Sequence, residues 1–428
     1  MHTIRIPKVI QFGENALSEA EYPKNALVVT TAPIELSGKW LDKMGIQDYM
    51  VYDKVTPEPS IDDVNTVIAK YKEKKPSVLI GLGGGSSMDV VKYSAEEFGV
   101  EKILIPTTFG TGAEMTTYCV LKFDGKKKLL HEDRFLADRA LVVTTAPIEL
   151  SGKWLDRMGI QDYMVYDKVT PEPSIDDVNT VIAKYKEKKP SVLIGLGGGS
   201  SMDVVKYSAE AFGVEKILIP TTFGTGAEMT TYCVLKFDGK KKLLREDRFL
   251  ADRAIVDSYF MDGTPEQIIK NSVCDACAQA TEGYDSKLGN NLTRTLCKHA
   301  FDVLYDAIIN DKPENYPYGS MLSGMGFGNC STTLGHALSY VFSNEGVAHG
   351  FSLSSCTTIA HKHNNSIFYE KFKQVIEKLG FDKMKLKAPV DEAADVVMTD
   401  KGHLDPNPIP ISKEDVIKCL NAINDGNL

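Results

Sequence analysis

The chain has 428 residues, of which 43% are hydrophobic and 25% are charged, and its formal net charge is −9. These values are typical of a globular protein of two or three domains. The acidic balance argues against a nucleic-acid or anionic-membrane partner, and no apolar run approaches the ~20 residues that a membrane helix needs. The N-terminus lacks the layout of a secretory signal, and the 8 dispersed cysteines are typical of reduced thiols. We therefore expect a cytoplasmic protein.

Much of the chain is an internal duplication. Residues 26–139 recur as residues 140–253 at an offset of 114, and only three positions differ between the copies. These positions are Lys43 against Arg157, Glu97 against Ala211, and His131 against Arg245. Because solenoid repeats have periods of ~20–50 residues, this longer period indicates a duplicated module of domain size rather than a solenoid.

Three regions follow from the duplication and from a change of pattern near residue 255. Residues 1–139 contain an N-terminal strand (5–13) and the first copy of an α/β module, 140–254 are the second copy, and 255–428 are an all-α domain. In the second copy, apolar strands alternate with amphipathic helices, which predicts a parallel sheet covered on both faces. The predicted elements are strands at 141–145, 163–167, 191–197 and 216–222, helices near 175–188 and from about residue 201, and a hairpin over 232–244 that turns at Asp238-Gly239.

Beyond residue 255 the spacing of apolar residues predicts helices. The helical stretches are 265–284, 291–310, 320–342, 366–379 and 413–424. A proline-rich segment from Asp405 to Pro410 precedes the last of them.

Two glycine-rich turns follow successive strands and predict a nucleotide crevice. In the first turn, Gly197, Gly198, Gly199 and Ser200 lead from a strand into a helix, whose N-terminus offers unpaired N–H groups to a phosphate. Ser200 would cap this helix and Asp203 would lie in its first turn. The second turn contains three threonines, Thr221, Thr222 and Thr225. Taken alone, the first turn also fits the less favoured alternative of a strand-to-helix connection that binds nothing.

With two later motifs, these turns resemble the iron-containing alcohol dehydrogenase family. The matching motifs are GGGSSMD and PTTFGTGAE in each copy, VCDACAQATEGYDS at 273–286, and LGHALSYVFSNEGVAHG at 334–350. The resemblance implies a dehydroquinate synthase-like architecture, with a Rossmann-like α/β domain, an all-α domain, and the active site in the cleft between them. It further implies an enzyme that transfers a hydride between NAD or NADP and a small alcohol or aldehyde, with Fe²⁺ or Zn²⁺ on the substrate oxygen.

The resemblance also implies which residues bind the cofactor. The implied contacts are Gly197, Gly198, Gly199, Ser200, Asp203, Thr221, Thr222, Thr225 and Thr145. Many relatives carry an acidic residue at the position of Thr145, at the end of the second strand. Because a threonine does not repel a 2′-phosphate, we expect NADP(H) to be tolerated.

The implied metal ligands are Asp275, Gln279, His336 and His349. Asp275 and Gln279 are four residues apart and so share a helix face. The family usually has histidine in place of Gln279, and a neutral amide oxygen is a weaker ligand than imidazole. The expected outcomes are a site completed by glutamine or water, a weakened site, or no metal. Tyr340, where many relatives have another histidine, is a weak candidate proton donor, and no other catalytic residue is assigned. No function is assigned to His299, His361, His363 and His403.

Several alternatives stay open at this point. Continuity with the helical domain favours the second copy as the working cofactor module, but the nearly identical first copy is the alternative. A dehydroquinate-synthase-like lyase, a glycerol- or glycerol-phosphate-dehydrogenase-like enzyme, and a catalytically impaired cofactor-binding duplicate are further alternatives. Apart from a small alcohol or aldehyde, the only partner we expect is a second copy of the chain in a homo-oligomer.

Overall fold

The computed structural model divides the chain into two compact units, Met1–Leu136 and Ala137–Leu428. It describes residues 22, 25–30, 39, 41–46, 48–56, 58–72, 74–106, 118–123, 126–131, 140–144, 163–258 and 264–428. The predicted N-terminal strand at 5–13 and the predicted cofactor contact Thr145 lie outside these residues. The change of pattern near residue 255 falls within the second unit, which therefore joins the second copy to the helical region.

The first unit contains a four-stranded parallel sheet, with strands β1 (Ala26–Val29), β2 (Tyr49–Tyr52), β3 (Val78–Gly83) and β4 (Glu101–Pro106). The strand order in this sheet is β2-β1-β3-β4. Helix α1 (Ile61–Tyr71) precedes β3, and helix α2 (Gly85–Phe98) connects β3 to β4. An antiparallel hairpin, β5 (Tyr118–Phe123) and β6 (Lys126–His131), follows.

The second unit repeats this sheet and adds one short strand. The order is β13-β10-β9-β7-β8, and all pairs are parallel. The strands are β7 (Ala140–Thr144), β8 (Tyr163–Tyr166), β9 (Val192–Gly197), β10 (Glu215–Pro220) and β13 (Arg253–Ala254). Every residue of β9 is buried, as expected for a central strand covered on both faces. The predicted α/β class is confirmed.

Local sequence signals explain the helices beside this sheet and the separate hairpin that follows it. Helix α3 (Ile175–Tyr185) begins after Ser174, which exchanges hydrogen bonds with Asp177 in a capping box. Helix α4 (Gly199–Phe212) follows β9. Strands β11 (Tyr232–Phe237) and β12 (Lys240–Arg245) form the predicted hairpin. Its turn residues Asp238 and Gly239 have φ of 50° and 74°, which is the pattern of a type I′ turn.

The rest of the second unit is helical, as predicted. Its helices are α5 (Glu266–Asp285), α6 (Asn291–Ile309), α7 (Tyr316–Phe327), α8 (Leu334–Asn344), α9 (His349–Asn364), α10 (Tyr369–Leu379), α11 (Val390–Met398), α12 (Lys401–Leu404) and α13 (Lys413–Asp425). One apolar core is built mainly from α5, α6 and α10, and another mainly from α8, α9, α11 and α13. In the described part of the chain, none of the helices is both long enough and apolar enough to cross a membrane.

One expectation for the helical region is wrong. The stretch 320–342 is not one helix, because α7 ends at Phe327 and α8 starts at Leu334. In the gap, the Thr333 hydroxyl donates to Glu282 and the Leu334 N–H donates to Asn407. Side chains from distant segments thus replace the helical bonds that a continuous helix would have made.

Candidate cofactor and metal site

The glycine-rich turn of the second copy leads directly into α4. Gly198 is the residue before the helix and Gly199 is its first residue. Ser200 is not the cap, since it lies inside the first turn and its Oγ accepts the Glu172 N–H at 3.3 Å. The N-cap residue Gly198 offers no side chain to the first N–H groups of α4, and the N–H groups of Ser201 and Met202 donate to its carbonyl. The start of α4 has the backbone N–H groups and the helix dipole that suit a phosphate.

The two glycine-rich turns meet in the second unit. A Cβ placed on Gly198 would lie 3.0 Å from Thr222 Oγ1, and one on Gly199 would lie 3.2 Å from Thr225 Cγ2. The Thr221 N–H donates to the Gly197 carbonyl at 3.0 Å. The structure thus brings together the predicted glycines and threonines at the carboxyl ends of β9 and β10. The absence of side chains at Gly198 and Gly199 is what allows the two backbones to approach.

Asp203 lies one turn further into α4 than predicted. Its carboxylate accepts the Val234 N–H of the hairpin at 3.2 Å, and burial raises its pKa to about 7. Nearby, the buried Lys206 ammonium donates to the carbonyls of Thr230 at 3.0 Å and Tyr232 at 2.6 Å. Asp203 and Lys206 therefore bind α4 to the hairpin, a connection that the sequence analysis missed.

The threonine-containing turn also contacts the helical region. A Cβ on Gly224 would lie 2.8 Å from the backbone of Ser272 in α5, and one on Gly226 would lie 2.8 Å from Gly324 in α7. Gly226 has a φ of +58°, in the left-handed region that favours glycine. A small crevice lies between this turn and α5. Its lining residues are Thr221, Thr222, Phe223, Thr264, Ile269, Ser272, Val273 and Tyr316.

Three of the predicted metal ligands converge from α5, α8 and α9. Asp275 Oδ1 lies 3.6 Å from His336 Nε2 and 3.9 Å from His349 Nε2. The three ligand atoms all lie within 4.8 Å of one another. Two imidazoles and a carboxylate are a donor set that iron and zinc both accept.

Gln279 shares the α5 face with Asp275, as predicted. Its Nε2 donates to Asp275 Oδ1 at 2.9 Å, and its buried Oε1 has no hydrogen-bond partner among the described residues. A buried carbonyl oxygen without a partner is costly, and a cation beside Asp275 would supply one after rotation of the amide. The residues present therefore fit a divalent metal.

The two histidines have opposite electrostatic surroundings. Burial disfavours the charged form of His336, but the Glu282 and Asp275 carboxylates outweigh it and raise the pKa of His336 to about 9. The exposed fraction of the His349 side chain is 39%. The protein atoms around the ring nevertheless exclude water and disfavour the charged form, which lowers the pKa of His349 to about 4. The Asp275 carboxylate acts in the opposite direction and only partly offsets this. The charge of Lys241 on β12 adds to the lowering. A cation therefore competes with a proton at His336 but not at His349.

Two further residues at this site were missed from the sequence. Glu282 accepts a hydrogen bond from His336 Nδ1, and His403 stacks on the His336 ring with 6.0 Å between the ring centroids. The ring of His403 also packs edge-on against the ring of Tyr340, with 5.5 Å between the two ring centroids. The Nδ1 of His403 lies 2.7 Å from Asp400 Oδ2. The i, i+7 spacing from Asp275 to Glu282 was the available signal for Glu282, whereas nothing in the sequence places His403.

Comparison with known proteins agrees with this geometry. The family model described as iron-containing alcohol dehydrogenase matches residues 7–144 and again 133–258, once for each copy. The model for the C-terminal region of the same family matches residues 269–399. The chain therefore belongs to the iron-containing alcohol dehydrogenase family.

Individual relatives cover different parts of the chain. Long-chain-alcohol dehydrogenase 1 of Geobacillus thermodenitrificans is 31% identical over 218 residues, which are 44% of this chain and only 55% of that relative. Lactaldehyde reductase of Escherichia coli is 26% identical over 356 residues, 74% of this chain and 91% of the relative. The structure of sulfoacetaldehyde reductase from Bifidobacterium kashiwanohense with NAD⁺ superposes with a TM-score of 0.62 at 19% identity, covering 81% of this chain and 97% of that one. This last similarity shows the shared fold.

Proposed function

We propose that the chain is an NAD(P)-dependent alcohol dehydrogenase or aldehyde reductase that acts on a small alcohol or aldehyde in the cytoplasm. The observation that carries the proposal is the convergence of Asp275, His336 and His349 in the same compact unit as the two glycine-rich turns of the second copy. The names of the relatives, which include lactaldehyde and sulfoacetaldehyde reductases, agree with a small carbonyl substrate.

The chain's own residues divide the chemistry between two places. The N–H groups at the start of α4, with Thr222 and Thr225, would hold the pyrophosphate of the dinucleotide. The bound dinucleotide supplies or accepts the hydride. Asp275, His336 and His349 would hold a divalent metal, iron or zinc, which as a Lewis acid stabilises negative charge on the substrate oxygen. Gln279 can add an amide oxygen to these ligands, a weaker donor than imidazole.

The test is a panel of small alcohols and aldehydes with NAD(H) and NADP(H), with and without added Fe²⁺ or Zn²⁺. We expect metal-dependent oxidation of NADH or NADPH in the presence of an aldehyde, and loss of it in the Asp275→Ala variant. Absence of turnover with every substrate and metal would contradict the proposal. Cofactor binding without turnover would instead support a catalytically impaired, cofactor-binding duplicate. The hydrogen bond from Gln279 to Asp275 favours this second candidate, because it occupies a carboxylate oxygen that would otherwise bind the metal.

We propose that the second copy is the working cofactor module and that the first copy is an additional, tethered nucleotide-binding module. The support is the close approach of Gly224 and Gly226 to the helices that carry the metal site or pack beside it. The duplication offers a matched pair of variants, Gly199→Trp and Gly85→Trp, which place the same bulk at the same turn of each copy. We expect Gly199→Trp to abolish turnover and Gly85→Trp to retain it, with folding checked by circular dichroism. The reverse pattern would make the first copy the working module.

We propose that NADP(H) is accepted because Thr145 carries no negative charge. The Thr145→Asp variant should lose kcat/KM with NADPH and keep it with NADH, since a carboxylate repels the 2′-phosphate. An equal effect on both cofactors would contradict this assignment.

A further inference from the structure

Glu282 is a buried residue of α5 whose carboxylate contacts the start of α8, and each of its oxygens accepts two hydrogen bonds. Its exposed fraction is 1%. Oε1 accepts from the Thr333 hydroxyl at 3.0 Å and from the Gly335 N–H. Oε2 accepts from the His336 N–H at 3.3 Å and from His336 Nδ1. The carboxylate thus binds both the backbone and the side chain of one predicted metal ligand.

We infer that Glu282 is a positioning residue, which holds His336 with its Nδ1 protonated and its Nε2 directed at Asp275. A neutral imidazole has one donor and one acceptor nitrogen, and the partner of one nitrogen decides the role of the other. Since the carboxylate of Glu282 accepts a hydrogen bond from Nδ1–H, the neutral ring that binds a cation has its lone pair on Nε2, which lies 3.6 Å from Asp275 Oδ1. The inference deepens the proposed function and rests on its metal site.

The packing around Glu282 leaves His336 little freedom to turn. A Cβ on Gly335 would lie 2.7 Å from Glu282 Oε1 and 2.7 Å from Thr357 Oγ1, so only glycine lets α8 approach this closely. The carboxylate also satisfies two N–H groups in the first turn of α8, where the helix dipole favours a negative charge.

His349 is held much less firmly than His336. Its Nδ1 lies 3.4 Å from the hydroxyl of Ser339, which donates its own proton to the His336 carbonyl at 2.7 Å and so can only accept a long hydrogen bond from Nδ1. A neutral hydroxyl at this distance is a weaker partner than the carboxylate that binds His336. In this arrangement the geometry of the metal site depends on Glu282 more than on any contact of His349.

The experiment compares Co²⁺ binding by the full chain and its Glu282→Gln variant. Affinity is measured by titration of the Co²⁺ d–d absorption in competition with a chelator, at a temperature where circular dichroism shows both proteins folded. We expect the variant to bind Co²⁺ about 10–100-fold more weakly and with an altered absorption band. The control is Ser323→Ala, which removes a buried 3.0 Å hydrogen bond to the Ala276 carbonyl of α5 without touching the ligands, and which should keep the parent affinity.

Equal Co²⁺ affinity of Glu282→Gln and the parent would overturn the inference. Absence of Co²⁺ binding by the parent would overturn the proposed metal site and the inference with it. If Glu282→Gln does not fold, ¹⁵N NMR of the Zn²⁺-loaded parent decides, with the His336 signals assigned by comparison with His336→Gln. A proton on Nδ1 of His336 supports the inference, and a proton on Nε2 overturns it.

Discussion

Glu228 follows the threonine-containing turn of the second copy. Its substitution is the most direct test of how a buried carboxylate affects the stability of the cofactor module. Glu228 is 2% exposed, and its Oε1 has no hydrogen-bond partner among the described residues. Burial raises its pKa to about 7, although Lys206 and a backbone hydrogen bond act in the opposite direction. We predict that Glu228→Gln stabilises the protein, and more so as the pH rises.

The magnitude follows from the pKa of Glu228. The folded state holds the proton up to about pH 7, while the unfolded state releases it near 4.5. Because a raised carboxyl pKa makes the folded state bind more protons than the unfolded state, stability falls as the pH rises between these values. Taken alone, Glu228 therefore lowers the free energy of unfolding by about 1 kcal/mol at pH 5 and about 3 kcal/mol at pH 8, relative to a neutral side chain.

The assay is urea unfolding of the parent and of Glu228→Gln at pH 5 and pH 8, followed by far-ultraviolet circular dichroism. The gain from the substitution should be about 2 kcal/mol larger at pH 8 than at pH 5. Glu215→Gln, on the exposed first residue of β10, is the control and should give no such difference. A gain that is the same at both pH values would refute the reasoning.

Two further substitutions test the fold of the cofactor module and the metal site. Lys206→Met removes the hydrogen bonds to Thr230 and Tyr232 and leaves Asp203 buried beside a neutral side chain. It should lower the free energy of unfolding by about 3–5 kcal/mol, measured by urea unfolding. A loss below about 1 kcal/mol would show that the contacts of Lys206 between α4 and the hairpin are unimportant for stability. Gln279→His exchanges an amide for an imidazole and should tighten Zn²⁺ binding on the order of tenfold, about 1.4 kcal/mol. Competition with a chelator measures this change, and unchanged or weaker binding would place Gln279 outside the ligand set.

The fold was largely predictable because its signals are local. The buried strand before Gly197, the Asp238-Gly239 turn and the Ser174 cap each act within a few residues, and the structure has all three. The prediction of one helix over 320–342 was wrong because the interruption depends on Glu282, which accepts a hydrogen bond from Thr333 51 residues away. A side chain that distant leaves no trace in the local pattern of apolar residues.

The candidate site shows the same division. Two copies of a glycine-rich module are evident in the sequence, and the four-residue spacing of Asp275 and Gln279 places them on one helix face. The folded chain was needed to show that Asp203 binds the hairpin, that His403 stacks on His336, and that the first turn of α8 contacts Glu282. Backbone preferences and helix periodicity act between near neighbours, whereas a buried carboxylate or imidazole takes its partners from whichever helices the packed core brings beside it.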